Sequence, residues 1–189
     1  MDVSLNAFDD GFLPWVGDAY AGGLHGVRTL VLGESHYLVP EKGDWRTHRD
    51  ADFTRRVVQK EVEQGGRLAY FKRLTALLSP DGQPDATLWQ RLAFFNVVER
   101  FVGDAPRQRP SAFQWADAEA SLPDRLAALR PELVLVTGFD LWKHVRTVLA
   151  GRAEEIGKRQ RRVERLGLVA PGGGDEPCTF VGLMHPSAY

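Results

Sequence analysis

Four short apolar runs, separated by stretches of helical periodicity, constrain this chain more than any other feature. They occupy residues 27–32, 92–98, 133–138 and 178–184 and are rich in valine, leucine and phenylalanine. Runs this continuous suit strands buried on both faces, as in parallel sheets covered by helices. The intervening stretches supply those helices. Phe53, Val57, Val58 and Val62 recur at helical spacing in residues 52–64, which end at Gly65-Gly66. Residues 68–78 place Phe71, Leu74, Leu77 and Leu78 on one side, and helices are also expected over 116–129 and from 139 to about 149. The expected architecture is α/β: a three-layer α/β/α arrangement around a central four-stranded parallel sheet.

The rest of the chain reads as connections. Residues 1–26 form an irregular lead-in whose Phe8, Phe12, Trp15 and Tyr20 pack on the domain. Residues 38–50 and the Pro/Arg-rich 103–111 are expected as loops, 152–165 as a charged helix or ordered loop, and 171–175 as a glycine-rich turn. A length of 189 residues fits a single domain, 1–189. One cysteine, Cys178, excludes a disulfide framework and a four-cysteine metal site within one chain. No run of ~18 apolar residues occurs, and Met1-Asp2-Val3-Ser4 does not open a signal peptide. The expectation is a cytoplasmic protein with no membrane partner.

The net charge of −1 does not advertise nucleic-acid binding, but the average hides two basic clusters. Arg46, His48, Arg49, Arg55 and Arg56 form one, and Lys158, Arg159, Arg161, Arg162 and Arg165 the other. Local patches of this kind neutralise phosphates, and solvated helix faces carry them too. Arg107 and Arg109 are further candidates for phosphate contact.

Three of the four apolar runs deliver polar side chains toward their carboxyl ends, where ligands bind in open α/β sheets. The first leads into Gly33-Glu34-Ser35-His36-Tyr37, the second contains Asn96, and the last is followed by His185-Pro186-Ser187. Gly33 is expected to turn the backbone there and let a ligand approach. Each group also has a structural alternative. Asn96 could be a satisfied core amide, His185 a cap on the last strand, and Phe71 a plain core aromatic.

Taken together, these segments resemble the uracil-DNA glycosylase superfamily. Its first motif is a strand ending Gly-(Gln/Glu/Ile)-(Asp/Asn/Ala)-Pro followed by Tyr or Gly, its second strand carries an Asn, and His-Pro-Ser follows its last strand. Here Leu32-Gly33-Glu34-Ser35-His36-Tyr37, Phe94-Phe95-Asn96-Val97-Val98 and Met184-His185-Pro186-Ser187 correspond. The resemblance spans residues 27 to 189. It implies a DNA glycosylase that hydrolyses the N-glycosidic bond of uracil or a modified pyrimidine during base excision in DNA repair. Its partner is DNA, single- or double-stranded, and it works as a monomer without metal or cofactor.

By the same resemblance, Glu34, Ser35, His36 and His185 are the catalytic candidates, and Gly33, Tyr37, Phe71 and Asn96 bind the base. Gly33 lies at the pocket mouth, Tyr37 walls the pocket against a 5-methyl group, Phe71 stacks on the base, and Asn96 pairs with its edge. His185 hydrogen-bonds the base O2 as charge develops. Ser187, and Arg159, Arg161 and Arg162 from the second basic cluster, are the candidates for phosphate contact. The sequence departs from the pattern at Ser35, which cannot serve as a carboxylate, and at His36, which replaces the proline. The carboxylate's work then falls to Glu34, His36, Asp44 or a weaker positioning of water, and a base larger than uracil becomes a candidate. The apolar wedge that the family carries beyond this motif is left to Tyr189 or to another loop, or the substrate is not ordinary duplex.

Two other classes compete. Glu34, His36 and His185 could hold a divalent ion in a metal-dependent hydrolase. Ser35 favours a module of the same fold that binds nucleic acid or a nucleotide without cleaving it.

Overall fold

The computed structural model describes residues 5–9, 11–37, 51–83, 85–103, 108–149, 165–167 and 178–186. Its strands are β1 (Trp15–Val16), β2 (Thr29–His36), β3 (Leu92–Phe101), β4 (Leu133–Thr137), β5 (Arg165–Gly167) and β6 (Thr179–Leu183). Its α-helices are α1 (Phe53–Val58), α2 (Ala69–Leu78), α3 (Ala112–Leu129) and α4 (Phe139–Leu149). All strands join one mixed sheet in the order β1-β3-β2-β4-β6-β5.

The four expected strands form the parallel interior, β3-β2-β4-β6. Among the described residues the expected count of four is corrected to six, because antiparallel β1 and β5 flank the parallel strands on either side. Arg165, expected at the end of a charged segment, opens β5 instead.

Alternation along the strands sorts their side chains to opposite faces. Leu30, Leu32, Phe95, Val134 and Val136 pack with Leu122, Leu126, Leu141 and Val145 from α3 and α4. Val31, Phe94 and Leu135 pack instead with Phe53, Val57, Phe71 and Leu74 from α1 and α2. Helices therefore cover both faces of the sheet. Among the described residues, no helix is long and apolar enough to cross a membrane.

Local chemistry sets where the helices begin and end. α3 starts four residues earlier than its apolar periodicity indicates, because Ser111 and Gln114 form a reciprocal capping box there. It ends with Arg130 in the left-handed conformation, φ 49°, just before Pro131. α1 loosens after Val58 into one wide turn over Gln59–Glu63, whose closing bond runs from Gln64 N–H to Gln59 O.

The lead-in aromatics are anchored: Phe8, Phe12 and Tyr20 are buried, and the Trp15 indole donates to Trp89 O at 2.8 Å. Nearby, the Arg125 guanidinium of α3 lies 2.6 Å from Glu99 Oε2 of β3, with both side chains buried. Arg125 also donates to Val97 O at 3.3 Å. Burial pushes the Glu99 carboxyl up to about 8, against the lowering effect of Arg125. Cys178 lies just ahead of β6, 6% exposed, and burial raises its thiol to about 12.

Candidate active site

The interior strand order creates a switch point between β2 and β4, since the chain moves from β2 to β3 on one side and then crosses back to β4. Open α/β sheets bind ligands outside the carboxyl ends of strands at such a point. A cleft of about 750 Å³ opens there, lined by the Gly33–Tyr37 segment, Tyr70, Phe71, Asn96, Arg109, Thr137, Asp140 and His185 among others. That volume lies within the ~300–1,000 Å³ typical of small-molecule sites. Glu34, Asn96 and His185, on three different strands or their continuations, thus meet in one cavity.

The cavity floor is a row across neighbouring strands. Asn96 of β3 is the register partner of Gly33 in β2. Thr137 of β4 follows on the other side, one residue beyond the Leu32–Val136 pair, and is itself level with Leu183 of β6. Gly33 lies inside β2 rather than at a turn, which corrects the expected reason for a glycine. A Cβ there would meet Asn96 Oδ1 at 2.1 Å and the Phe94 ring at 3.3 Å. The glycine makes room for the amide that leans over it.

Asn96 is 6% exposed. Among the described residues no hydrogen-bond partner reaches its side chain, so it is not the satisfied core amide of the structural alternative. Such a group in a polar cleft awaits a ligand or water.

Opposite it, Thr137 Oγ1 donates to Leu32 O at 2.7 Å and lies 2.9 Å from Tyr70 Oη. The threonine has one proton and has given it to a carbonyl, so the Tyr70 hydroxyl is the donor in the second bond. Burial raises the Tyr70 hydroxyl's pKa, which keeps that proton in place. The Tyr70 ring lies 5.3 Å from the His185 ring, tilted by 44°. Arg73, one turn along α2, donates to Pro186 O at 3.1 Å and ties down the segment that carries His185. Burial first, and the Arg109 charge second, push the His185 pKa below its ordinary value. The imidazole is therefore neutral at pH 7 and carries a single N–H.

Glu34 lines the cavity wall with a side chain 14% exposed. Arg109 Nη1 reaches its two oxygens at 2.8 and 2.9 Å. The same guanidinium bonds Asp140 of α4, whose other oxygen accepts from Lys143 at 2.9 Å. Burial raises the Glu34 carboxyl and Arg109 counters it. Asp140, exposed and held chiefly by Lys143, is shifted downward. Arg109, considered as a phosphate contact, instead bridges two carboxylates at the cavity mouth.

Ser35 lines the cavity beside Glu34, and Tyr37 stands exposed at its rim. Phe71 reaches the cavity floor, but its ring is 4% exposed and packed against Trp89 and Phe94, so its surroundings are those of a core aromatic. Tyr70, its neighbour, is the ring set beside His185, and no sequence signal distinguished the two.

His36 takes a different chemical state from that of a catalytic acid. Its Nε2 lies 3.0 Å from Thr54 Oγ1, its ring packs edge-on against Phe12 and Phe53, and burial pushes its pKa down to about 3. It carries no extra proton to give near neutral pH.

Among the described residues no three His, Cys, Asp or Glu side chains are grouped so as to hold a metal. The proposed trio of Glu34, His36 and His185 therefore has no ligating geometry, since Glu34 is held by Arg109 and His36 by Thr54. Asp44, Arg46, His48, Arg49, Arg107, Lys158, Arg159, Arg161, Arg162, Ser187 and Tyr189 lie outside the described residues. No protein-family model matches this sequence, and neither does any curated protein.

Proposed function

We propose that this chain is a three-layer α/β/α protein of the uracil-DNA glycosylase type that hydrolyses the N-glycosidic bond of uracil or a modified pyrimidine in DNA. The observation that carries the reading is the Asn96 amide, buried, unpartnered among the described residues, and set in one cleft with His185 and Glu34. An amide offers a donor and an acceptor side by side, the complement of a pyrimidine edge. A target base enters such a cleft unstacked, flipped from a duplex or taken from a single strand.

The chemistry divides among three groups. The bond between C1′ and the base nitrogen breaks with its electron pair going to the base, which leaves as an anion. Neutral His185 donates a hydrogen bond to the base oxygen where that charge collects, a contribution worth about 10²–10³ in rate for comparable donors. The Glu34 carboxylate faces the positive charge developing on the sugar. Water adds at C1′, and its proton passes to Glu34 or to solvent and finally to the departed base. Arg109 holds Glu34 in position and opposes the upward push of burial on its carboxyl.

One observation favours a second reading: the residue after Glu34 is Ser35, a hydroxyl where water activation needs a carboxylate, while Glu34 is already ion-paired. That combination suits a module that binds a base without cleaving it.

Single- and double-stranded oligonucleotides carrying uracil or bulky cytosine modifications, assayed for alkali-labile abasic sites, test the proposal. The expected result is cleavage of at least one of them. Asn96→Ala and His185→Ala are each expected to cut the rate about 10²-fold or more with unchanged melting temperature. Binding without abasic sites from any substrate moves the chain to the binding module. Normal turnover by both variants overturns the site.

A further inference from the structure

The protons around His36 can be counted. Its Nε2 is the partner of the Thr54 hydroxyl at 3.0 Å, and among the described residues that hydroxyl has no other partner. Thr54 is 1% exposed, so water does not relieve it. If Nε2 carried the ring proton, it would donate to Thr54 and leave the hydroxyl hydrogen with no acceptor, and an unmet buried donor is costly. If Nε2 is bare, Thr54 donates to it and the buried hydroxyl hydrogen has its acceptor. The ring is neutral near pH 7 because burial holds its pKa down to about 3, so its one proton then resides on Nδ1. Nδ1 has no hydrogen-bond partner among the described residues, and the ring lines the same cavity as Asn96 and His185.

We infer that Thr54 fixes His36 as the Nδ1–H tautomer, so that His36 presents a permanent hydrogen-bond donor that reads a carbonyl oxygen on the bound base. The inference rests on the base-binding reading of the cleft and narrows its ligand to pyrimidines with a ring carbonyl in reach of His36. Phe12 and Phe53 brace the ring at centroid distances of 5.7 and 4.9 Å, so the donor direction is set before the ligand arrives. A neutral oxygen suits the site better than a phosphate, because the imidazole is uncharged and Arg109, the guanidinium lining the same cavity, is already engaged by Glu34 and Asp140. His36 is a specificity group and Thr54 its positioning residue.

Nitrogen-15 NMR of the histidine side chains in the full chain, with 2′-deoxyuridine as the added probe, tests this without requiring turnover. The wild-type protein is expected to show neutral His36 protonated at Nδ1, and the probe is expected to shift that nitrogen. Thr54→Val, which keeps the shape and removes the hydroxyl, is expected to populate the Nε2–H form and weaken probe binding about tenfold, with Thr54→Ser restoring both. An Nε2–H tautomer in the wild type, a charged His36 at neutral pH, or no Nδ1 shift with millimolar probe each overturns the inference. So does a shift produced by inorganic phosphate and not by the nucleoside. Binding through His36 without any abasic product would leave this inference standing and remove the glycosylase reading.

Discussion

A methyl group placed on Gly33 would sit 2.1 Å from Asn96 Oδ1, so the amide or the strand must shift to admit it. Gly33→Ala is expected to cost about 1–3 kcal/mol of stability through overpacking and to push the amide off the position where a base edge would meet it. Asn96→Ala removes the clash, so the double variant should recover part of that loss. Urea denaturation of the four proteins measures the coupling between the two sites. Strictly additive losses would show that the side chain and the glycine do not compete for the same space. The sequence carried both residues but not their relation. Asn96 and Gly33 are distant along the chain and meet because β2 and β3 pair in register. Tyr70 and Phe71 pose the complementary difficulty. Adjacent residues on a helix differ by roughly 100° in direction, and two neighbouring aromatics give no sign of which one faces the cavity.

The elements themselves were largely legible. The four interior strands coincide with the apolar runs because strands covered on both faces have no polar alternation to disguise them. Their ends were less so. β2 continues through Glu34, Ser35 and His36, and β3 runs past Asn96 to Phe101, because pairing with neighbours extends a strand beyond its apolar stretch. Glu99, near the end of β3, shows what such a position entails. Its carboxyl is raised from 4.5 to about 8, chiefly by burial. The folded state thus holds a proton that the unfolded chain releases more readily. This contribution is fully present below the unfolded value and is lost as pH rises through the folded one. Glu99→Gln has no proton to lose. Between about pH 5 and about pH 9 the difference in urea midpoint should therefore move in the variant's favour. A difference that stays constant with pH would mean that Arg125 keeps Glu99 ionised throughout.

At the scale of the whole molecule, the cleft arises from the order of strands rather than from any one segment. Its parts come from β2, β3, β4, α1, α2, α4, the loop before α3 and the residues after β6, which the reversal between β2 and β4 brings together. Strand types could be read from the sequence. The two edge strands could not, since β1 has two residues and β5 three, too few for any periodicity to register. Nor could the Arg109 bridge, which joins a loop to β2 and α4 across long sequence separations. Cys178 gives this assembly an internal clock. Its thiol is the chain's only one, lies against the start of β6, and is shielded and reluctant to ionise. A thiol reagent should modify native protein at a rate limited by how often that end of the sheet opens. A nucleoside lodged against His185, at the opposite end of β6, should slow the reaction where exposing the thiol requires the whole strand to come away. Modification as fast as that of the urea-unfolded chain would mean that the end of the sheet is not closed. The lone cysteine thereby records, as a chemical rate with no added dye or tag, how tightly ligand and sheet hold each other.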